Sequence, residues 1–423
     1  MEEAIARGGL APGAGLPTVR ALAARLRVSP STVAASYRLL QARGLATGRG
    51  RRGTRVAPRP PVRAPRPDPR VPSRLRDVAT GNPDPAFLPP LGPALRSLSP
   101  TPSLYGEPAH RPALLEAAAR QLAADRIPAE AVAVVAGAMD GIERVLQAHL
   151  RPGDRVAVED PGYSGVLDLL GALALVPEPV ALDDEGVRPE PLAAALRNGA
   201  RALVLTPRAQ NPTGAALSPA RARRVRGVLE GFPDLLVLED DHAGPVAGVP
   251  ALTVGHGRRG PWAVVRSVSK WLGPDLRLAF LAGDPTTVAR VEGRQALGSG
   301  WVSHLLQDLV AALCSDPGSD EALSRAARAY RERRDALVSA LGRRGVAAHA
   351  RSGLNVWVPV AEEGPVVAGL AAAGWAVRGG ERYRLRSSPA IRVTTAALLP
   401  SEAERLAGDL AGLLRPGRRT APA

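Results

Sequence analysis

Apolar positions change their rhythm along this chain. Between residues 18 and 44 they recur at helical spacing: Leu22 and Leu26 stand four apart in VRALAARL, which follows Thr18. Val33, Tyr37 and Leu40 share one face of a second run, with Ser29 as N-cap, Pro30 at the first helical position and Gly44 as the stop. The tight turn at Arg27 and Val28 separates the two runs, so the pattern predicts a helix-turn-helix. Behind it LAT, GRGRRG and TRV read as a β-hairpin with an Arg-loaded tip, the wing of a winged helix. Residues 57–76 carry Pro at 58, 60, 61, 65, 67, 69 and 72 and predict an extended, stiff polyproline linker without a core. Farther on, short apolar runs take over: VAVVA (132–136), RVAVE (155–159), ALVLT (202–206), LLVLED (235–240) and WAVVRSV (262–268). Helical stretches such as DGIERVLQAHL and PARARRVRGVLE lie between them. Apolar strands alternating with helices imply an α/β domain built on a mostly parallel sheet covered on both faces.

A length of 423 residues suits two or three domains. The single Cys314 excludes a disulfide framework and a Cys-based metal site and points to a reducing, cytoplasmic setting. No apolar run approaches membrane-spanning length, and the acidic start Met1-Glu2-Glu3 is unlike a secretory signal, so neither membrane nor export is expected. The net charge of +15 is unevenly placed: the first 70 residues hold +11 and the remainder +4. A basic head on a nearly neutral body suggests a polyanion-binding module joined to a domain of another kind.

Of the 55 basic residues, every one but Lys270 is Arg. A guanidinium serves for solubility, ion pairing and phosphate contact, but it supplies no free amine. Lys270 is therefore a candidate Schiff-base former. In parallel sheets ligands bind beyond the carboxyl ends of the strands. Asn211, Asp240, Ser267, Ser269 and Lys270 fall at such ends. An amine, a carboxylate for a pyridine nitrogen, an aromatic ring to stack, and hydroxyls with an Arg for a phosphate are the requirements of pyridoxal 5'-phosphate. Gly137-Ala138-Met139 opens a helix directly after a strand, where free backbone N–H groups suit a phosphate, and Ser267, Ser269 and Arg277 add side chains. Each element alone has an ordinary reading: Asp240 a solvated strand end, Tyr163 a core aromatic, NPTG an Asn-Pro turn. Their convergence around the one lysine favours a site.

Residues 1–56, through GLAPGAGLPTVRALAARLRVSPSTVAASYRLLQARGLATGRGRRGTRV, resemble the GntR superfamily of winged-helix regulators. They depart from it at the start, where only MEEAIARGG stands in place of a longer first helix. The resemblance implies DNA contacts from Thr18, Arg20, Ser29, Ser31, Thr32, Ser36 and Arg38, with Arg49, Arg51, Arg52 and Arg55 on phosphates or a minor groove.

Residues 77–415 look like fold-type I aminotransferases, through LYGEPAHRPAL, AGAMDGIERVL, EDPGYSG, TPRAQNPTG, LEDDHAGPV, SVSKWLGPDLRLAF and AIRVTT. That resemblance implies a smaller C-terminal α/β subdomain, Lys270 as the internal aldimine lysine, Asp240 on the pyridine nitrogen, Tyr163 on the ring and Asn211 on the phenolic oxygen. Ser267, Ser269, Arg277 and backbone at Ala138 and Met139 are expected to hold the phosphate, with Tyr105 entering from a second subunit. Arg392 is expected to clamp an α-carboxylate near Gly81 and Asn82. His242 stands where relatives usually place a Tyr on the phenolic oxygen; it can donate a hydrogen bond and is expected to titrate near neutrality. No metal is expected, and residues 416–423 are expected to be a disordered tail.

Head, linker and body in this order are similar to MocR-type regulators. The resemblance implies a homodimeric transcriptional regulator that binds double-stranded operator DNA and senses pyridoxal 5'-phosphate or an amine or amino acid. The competing expectation is an active aminotransferase with a vestigial or accessory head, and a bifunctional protein is a third. Four Arg within residues 49–55 favour the regulator.

Overall fold

The structure, a computed structural model, describes residues 10–11, 13–42, 45–48, 53–57, 71–99 and 101–414. In the head, helices α1 (Val19–Leu26) and α2 (Pro30–Ala42) precede strands β1 (Ala46–Gly48) and β2 (Thr54–Val56). Thr18 Oγ1 accepts from the Ala21 amide at 3.2 Å and Ser29 Oγ from the Thr32 amide at 3.1 Å, so both helix starts are capped by side chains. Leu22, Ala23, Val33, Tyr37, Leu40, Ala46 and Val56 close a small core, and the Tyr37 hydroxyl donates to the Pro17 carbonyl at 2.7 Å. β1 and β2 pair antiparallel, Ala46 opposite Val56, as the hairpin pattern predicts. Leu26 departs from expectation. It is 56% exposed, because α1 ends there and Arg27 turns left-handed, leaving Ala23 to fill the buried face beside Leu22. Gly44, the expected helix stop, lies outside the described residues, as do Arg49, Arg51, Arg52, most of the Pro-rich stretch and residues 416–423.

The body begins with the short strand β3 (Arg76–Asp77). Its main sheet contains β4 (Val132–Val135), β5 (Arg155–Asp160), β6 (Val176–Asp183), β7 (Gly186–Val187), β8 (Ala200–Leu205), β9 (Leu236–Asp241), β10 (Trp262–Ser267) and β11 (Ala279–Gly283). Their order is β4-β11-β10-β9-β8-β5-β6-β7, with a parallel centre from β10 to β6 and β11 antiparallel to both its neighbours. The mostly parallel sheet is as expected. The apolar runs had not singled out β6, whose prolines interrupt its pattern, or β11.

Side chains alternate across this sheet with a period of two. Leu236 and Leu238 of β9, Ala263 and Val265 of β10, and Ala202 and Val204 of β8 pack on α3 (Ala138–His149) through Ile142, Val145 and Leu146. Val237, Val264, Leu203 and Leu205 face the other way, onto Leu192, Leu196, Val225 and Leu229. By this parity Asp240 and Ser267 emerge on the α3 side, and Asp241 and Arg266 on the opposite side. A second layer, β12 (Asn355–Pro359), β15 (Ala390–Thr394) and β14 (Arg378–Gly379), forms a three-stranded antiparallel sheet. Val356, Val358, Ile391 and Val393 pack there on Leu337, Leu370, Leu406 and Leu410. Strand β13 (Trp375–Ala376) pairs parallel with β3, so Arg76 joins the body's backbone network, and its side chain pairs with Glu402 at 2.9 Å.

Phe280, the second residue of β11, is fully buried. Phe280→Ala is expected to cost about 3–5 kcal/mol, read as a lower urea midpoint for the body with little change in the slope of the transition.

Candidate functional site

Strands β9 and β10 end side by side, Val265 opposite Asp240 and Arg266 opposite Asp241. At these ends lies a cavity of about 260 Å³. Gly81, Ala138, Met139, Tyr163, Asn211, Asp240, His242, Ser267, Ser269, Lys270, Arg277 and Arg392 line it, so most of the side chains singled out for cofactor and ligand contact are brought together. Segments far apart in sequence meet here because the parallel sheet places its carboxyl ends on one edge.

One end of the cavity suits an anion. Gly137 caps α3 at φ +93° without a side-chain cap, leaving the first turn of the helix to its surroundings. A Cβ at Gly137 would lie 3.1 Å from the Arg277 guanidinium, so glycine is needed both for the backbone angle and for the close approach. Ser267 Oγ bonds Ser269 Oγ at 2.9 Å, setting two hydroxyls beside that Arg.

The centre is defined by three consecutive buried carboxylates, Glu239, Asp240 and Asp241, in an unusual state of charge balance. Glu239 accepts from the Thr253 hydroxyl at 2.6 Å and from the Val254 and Gly255 amides, each at 2.8 Å. Burial alone would raise Asp241, but Arg208 and Arg266 hold it far below the usual carboxylate range, Arg208 gripping both oxygens at 2.8 Å and Arg266 one at 2.7 Å. Asp125 completes this network through Arg208 at 3.0 Å and Arg266 at 2.7 Å. Asp240 is different. Its Oδ1 is buried with no hydrogen-bond partner among the described residues, and burial, reinforced by the charges of Asp241 and Glu159, pushes its pKa up to about 7. A buried carboxylate oxygen without a donor is costly unless something else supplies one.

Lys270 donates to the Gly81 carbonyl at 2.7 Å, and burial, aided by the charge of Arg392, lowers its pKa to about 8. More of it is therefore a free amine near neutrality than in an ordinary lysine. Arg392, on β15, donates to Asn211 Oδ1 at 3.0 Å and to the Ala79 carbonyl. That commits the oxygen of Asn211 and leaves its amide N–H₂ as the group it can offer the cavity.

His242 lines the cavity, but its chemistry differs from expectation. Burial, with Lys270 nearby, lowers its pKa to about 4, so the ring is neutral at physiological pH. Its Nε2 lies 2.9 Å from the Ala209 carbonyl, an acceptor, so the single ring N–H is spent there and Nδ1 remains as an acceptor.

Two expected residues lie elsewhere. Asn82 is exposed and bonds Thr80 Oγ1 at 3.2 Å; Thr80 lines the cavity in its place. Tyr105 is 93% exposed, with its ring edge-on to Trp301 at 5.7 Å. The cavity also has walls that sequence reasoning did not identify: Thr80, Ser164, Pro274, Arg382 and Tyr383. Ser164 sits inside the EDPGYSG motif and was within reach of it. Arg382 and Tyr383 lie in a short turn with no apolar rhythm, placed by distant contacts. In the head, Arg20, Ser31, Thr32, Ser36, Arg38 and Arg55 are exposed, together with the capping residues Thr18 and Ser29. Arg55 also donates to the Gly13 carbonyl at 3.0 Å.

The sequence profile described as aminotransferase class I and II matches residues 77–410, and that of bacterial regulatory proteins, gntR family, matches residues 1–56. The vitamin B6 salvage pathway transcriptional repressor PtsJ of Salmonella typhimurium is 43% identical over 403 residues, covering 93% of this chain and 92% of PtsJ. The HTH-type transcriptional regulator TauR of Rhodobacter capsulatus is 31% identical over 390 residues, 81% of this chain and 78% of its own. In fold, the chain is similar to the kynurenine aminotransferase of Pyrococcus horikoshii, with a TM-score of 0.72 at 20% identity over 81% of this chain and 91% of that one.

The His242 shift has a signed consequence. A folded pKa below the unfolded value of about 6.5 means the unfolded chain binds the proton first. The contribution of neutral His242 to stability is complete above that value and declines as pH falls towards about 4. Wild type is expected to lose more unfolding free energy than His242→Gln between pH 6.5 and 4, measured by urea unfolding at stepped pH.

Proposed function

The chain belongs to the aminotransferase class I and II family and carries a gntR-type helix-turn-helix head, and from that premise we propose that it is a DNA-binding transcriptional regulator, of the MocR type, whose body reads pyridoxal 5'-phosphate. The family is dependent on that cofactor, and the gntR-type head implies DNA binding. The observation that carries the reading is the joining, in one chain, of a helix that presents Ser31, Thr32, Ser36 and Arg38 to solvent and a cavity built around the only lysine. The relative named for repression in vitamin B6 salvage supports the same reading. The domain division that goes with it is residues 1–56, 57–76 and 77–415, with a tail at 416–423.

The residues present fit the cofactor. Ser267, Ser269, Arg277 and the backbone at Ala138 and Met139 would hold its phosphate, and Asp240 Oδ1 would accept a hydrogen bond from its protonated ring nitrogen. Tyr163 would stack on the ring and the Asn211 amide would donate to the phenolic oxygen. When bound, the group supplies an aldehyde that condenses with primary amines. Lys270 offers such an amine with a lowered proton affinity, and Arg392 offers a bidentate site for the carboxylate of an amino-acid effector. Neutral His242 props the Ala209 carbonyl and adds no charge to the cavity. A cytoplasmic homodimer completes the proposal. Tyr105, with the exposed Leu104, Leu297 and Leu305, would pack on a second copy, and two heads would address two half-sites.

Two measurements test this. Purified protein given pyridoxal 5'-phosphate is expected to develop a visible absorbance band that borohydride fixes to the chain, and Lys270→Ala is expected to abolish it; an unchanged band in the variant refutes the assignment. Affinity for DNA from upstream of its own and adjacent genes is expected to fall linearly with salt on logarithmic axes and to disappear on deletion of residues 1–56. Affinity retained by the truncated chain overturns the placement of DNA binding in the head.

A further inference from the structure

Resting on the reading of the body as a pyridoxal 5'-phosphate site, we infer that residues 77–82, where the chain passes from the Pro-rich stretch into the body, form a strap. Lys270 latches it while its amine is free and releases it when that amine condenses with the cofactor. Lys270 Nζ donates to the Gly81 carbonyl at 2.7 Å, and Gly81 stands just beyond Arg76. The chain's one lysine thus holds the backbone at the exit of the linker that carries the head.

The strap is a tied turn. Asp77 accepts from the Ala79 amide at 2.8 Å, the Thr80 amide at 3.1 Å and the Thr80 hydroxyl at 2.8 Å, so its carboxylate fastens the turn to β3. Gly81 follows at φ +72°, and a Cβ there would sit 3.3 Å from the Arg392 guanidinium, so glycine presents this carbonyl to Lys270 without strain. Toward the linker the hold is short. β3 has two residues; the Arg76 amide donates to the Gly374 carbonyl at 2.8 Å and the Val78 amide to the Ala376 carbonyl at 3.0 Å. Beyond the strap the Asp84 amide donates to the Tyr330 hydroxyl at 3.0 Å, and the Asp84 carboxylate pairs with Arg333 at 2.8 Å; neither partner lines the cavity. Between these two anchorages the strap meets the cavity through Lys270 on Gly81 and Arg392 on the Ala79 carbonyl.

Condensation acts on the Lys270 side of the latch. The nitrogen forms a double bond to the aldehyde carbon and gives two hydrogens to the water that departs with the aldehyde oxygen. It then carries at most one hydrogen, in a direction set by the double bond, whereas the free ammonium has three donors on a flexible stem. The Gly81 carbonyl loses its charge-assisted partner, and the two-residue β3 is left to hold the linker end. Coupling between a site and a distant head requires an element with two arrangements that both ends bias, and the strap has that position in the chain.

The test is amide hydrogen exchange of the full-length protein over residues 71–82, with β11 as the internal reference for global unfolding. Adding pyridoxal 5'-phosphate to wild type is expected to speed exchange in the strap by about tenfold, the scale of one charge-assisted hydrogen bond, and to leave β11 unchanged. Without cofactor, Lys270→Met, which has no donor, is expected to exchange at the faster rate already. Lys270→Arg keeps a donor but no condensing amine, and is expected to exchange slowly with or without cofactor. Strap exchange in loaded wild type that is slower than, or within about twofold of, the unloaded rate overturns the inference. So does an unloaded Lys270→Met that exchanges as slowly as wild type. Where Lys270→Met also loses protection in β11, Lys270→Arg decides, and a response to cofactor equal to that of wild type overturns the latch. Failure of the visible band to form on wild type is a separate result: it refutes the reading of the site, and the unloaded comparison of wild type with Lys270→Met still tests the latch.

Discussion

Strand β9 ends in three consecutive buried acids, and much of the body is organised around keeping that arrangement tolerable. Burying a carboxylate costs several kcal/mol unless donors or cations replace the lost water. Because side chains alternate across the sheet, Glu239 and Asp241 fall on one face and Asp240 on the other. On the first face the compensation is complete: hydroxyl and amide donors for Glu239, two arginines for Asp241. On the other face Asp240 receives no hydrogen bond at Oδ1 from the described residues and opens onto the cavity beside Lys270. The Asp241 network anchors β9, β10 and the loop after β8 to one another, since Arg208, Arg266 and Asp125 come from three different segments. It fixes Asp240 in place while adding the nearby negative charge that keeps it receptive to a proton.

That division explains which parts of the site were legible in the sequence. Lys270 stood out because every other basic residue is Arg, and Asp240, Asn211, Ser267 and Ser269 stood out because they follow apolar strands directly. Those are local signals, and parallel pairing then brings the strand ends together. Arg208 and Arg266 were not legible as partners of Asp241, because the contact joins residues 33 and 25 positions away. Arg382 and Tyr383 escaped for a related reason: their turn is placed by Asp160, Gly162 and Glu363, all remote in sequence. His242 was read from its ordinary chemistry, whereas its surroundings decide its charge.

The fold itself was legible at the level of layers more than of single elements. Five strands of the main sheet and the head's two helices follow from periodicity. Leu26 breaks the pattern because α1 ends before that side chain can reach the core, and β6 and β11 needed their neighbours to be recognised. On the proposed function, the Arg excess of the head and the solitary lysine of the body would serve separate chemistries, one directed at a polyanion and the other at an aldehyde. Regulation requires that the two be coupled, and coupling between sites is reciprocal in free energy.

The affinity of the intact protein for DNA upstream of its own gene, measured with and without saturating pyridoxal 5'-phosphate at one fixed salt concentration, tests that coupling most directly. A change of about 5- to 150-fold is expected, matched by an equal change in cofactor affinity when the DNA is present. Cofactor that binds at Lys270 while DNA affinity stays within about twofold would contradict it.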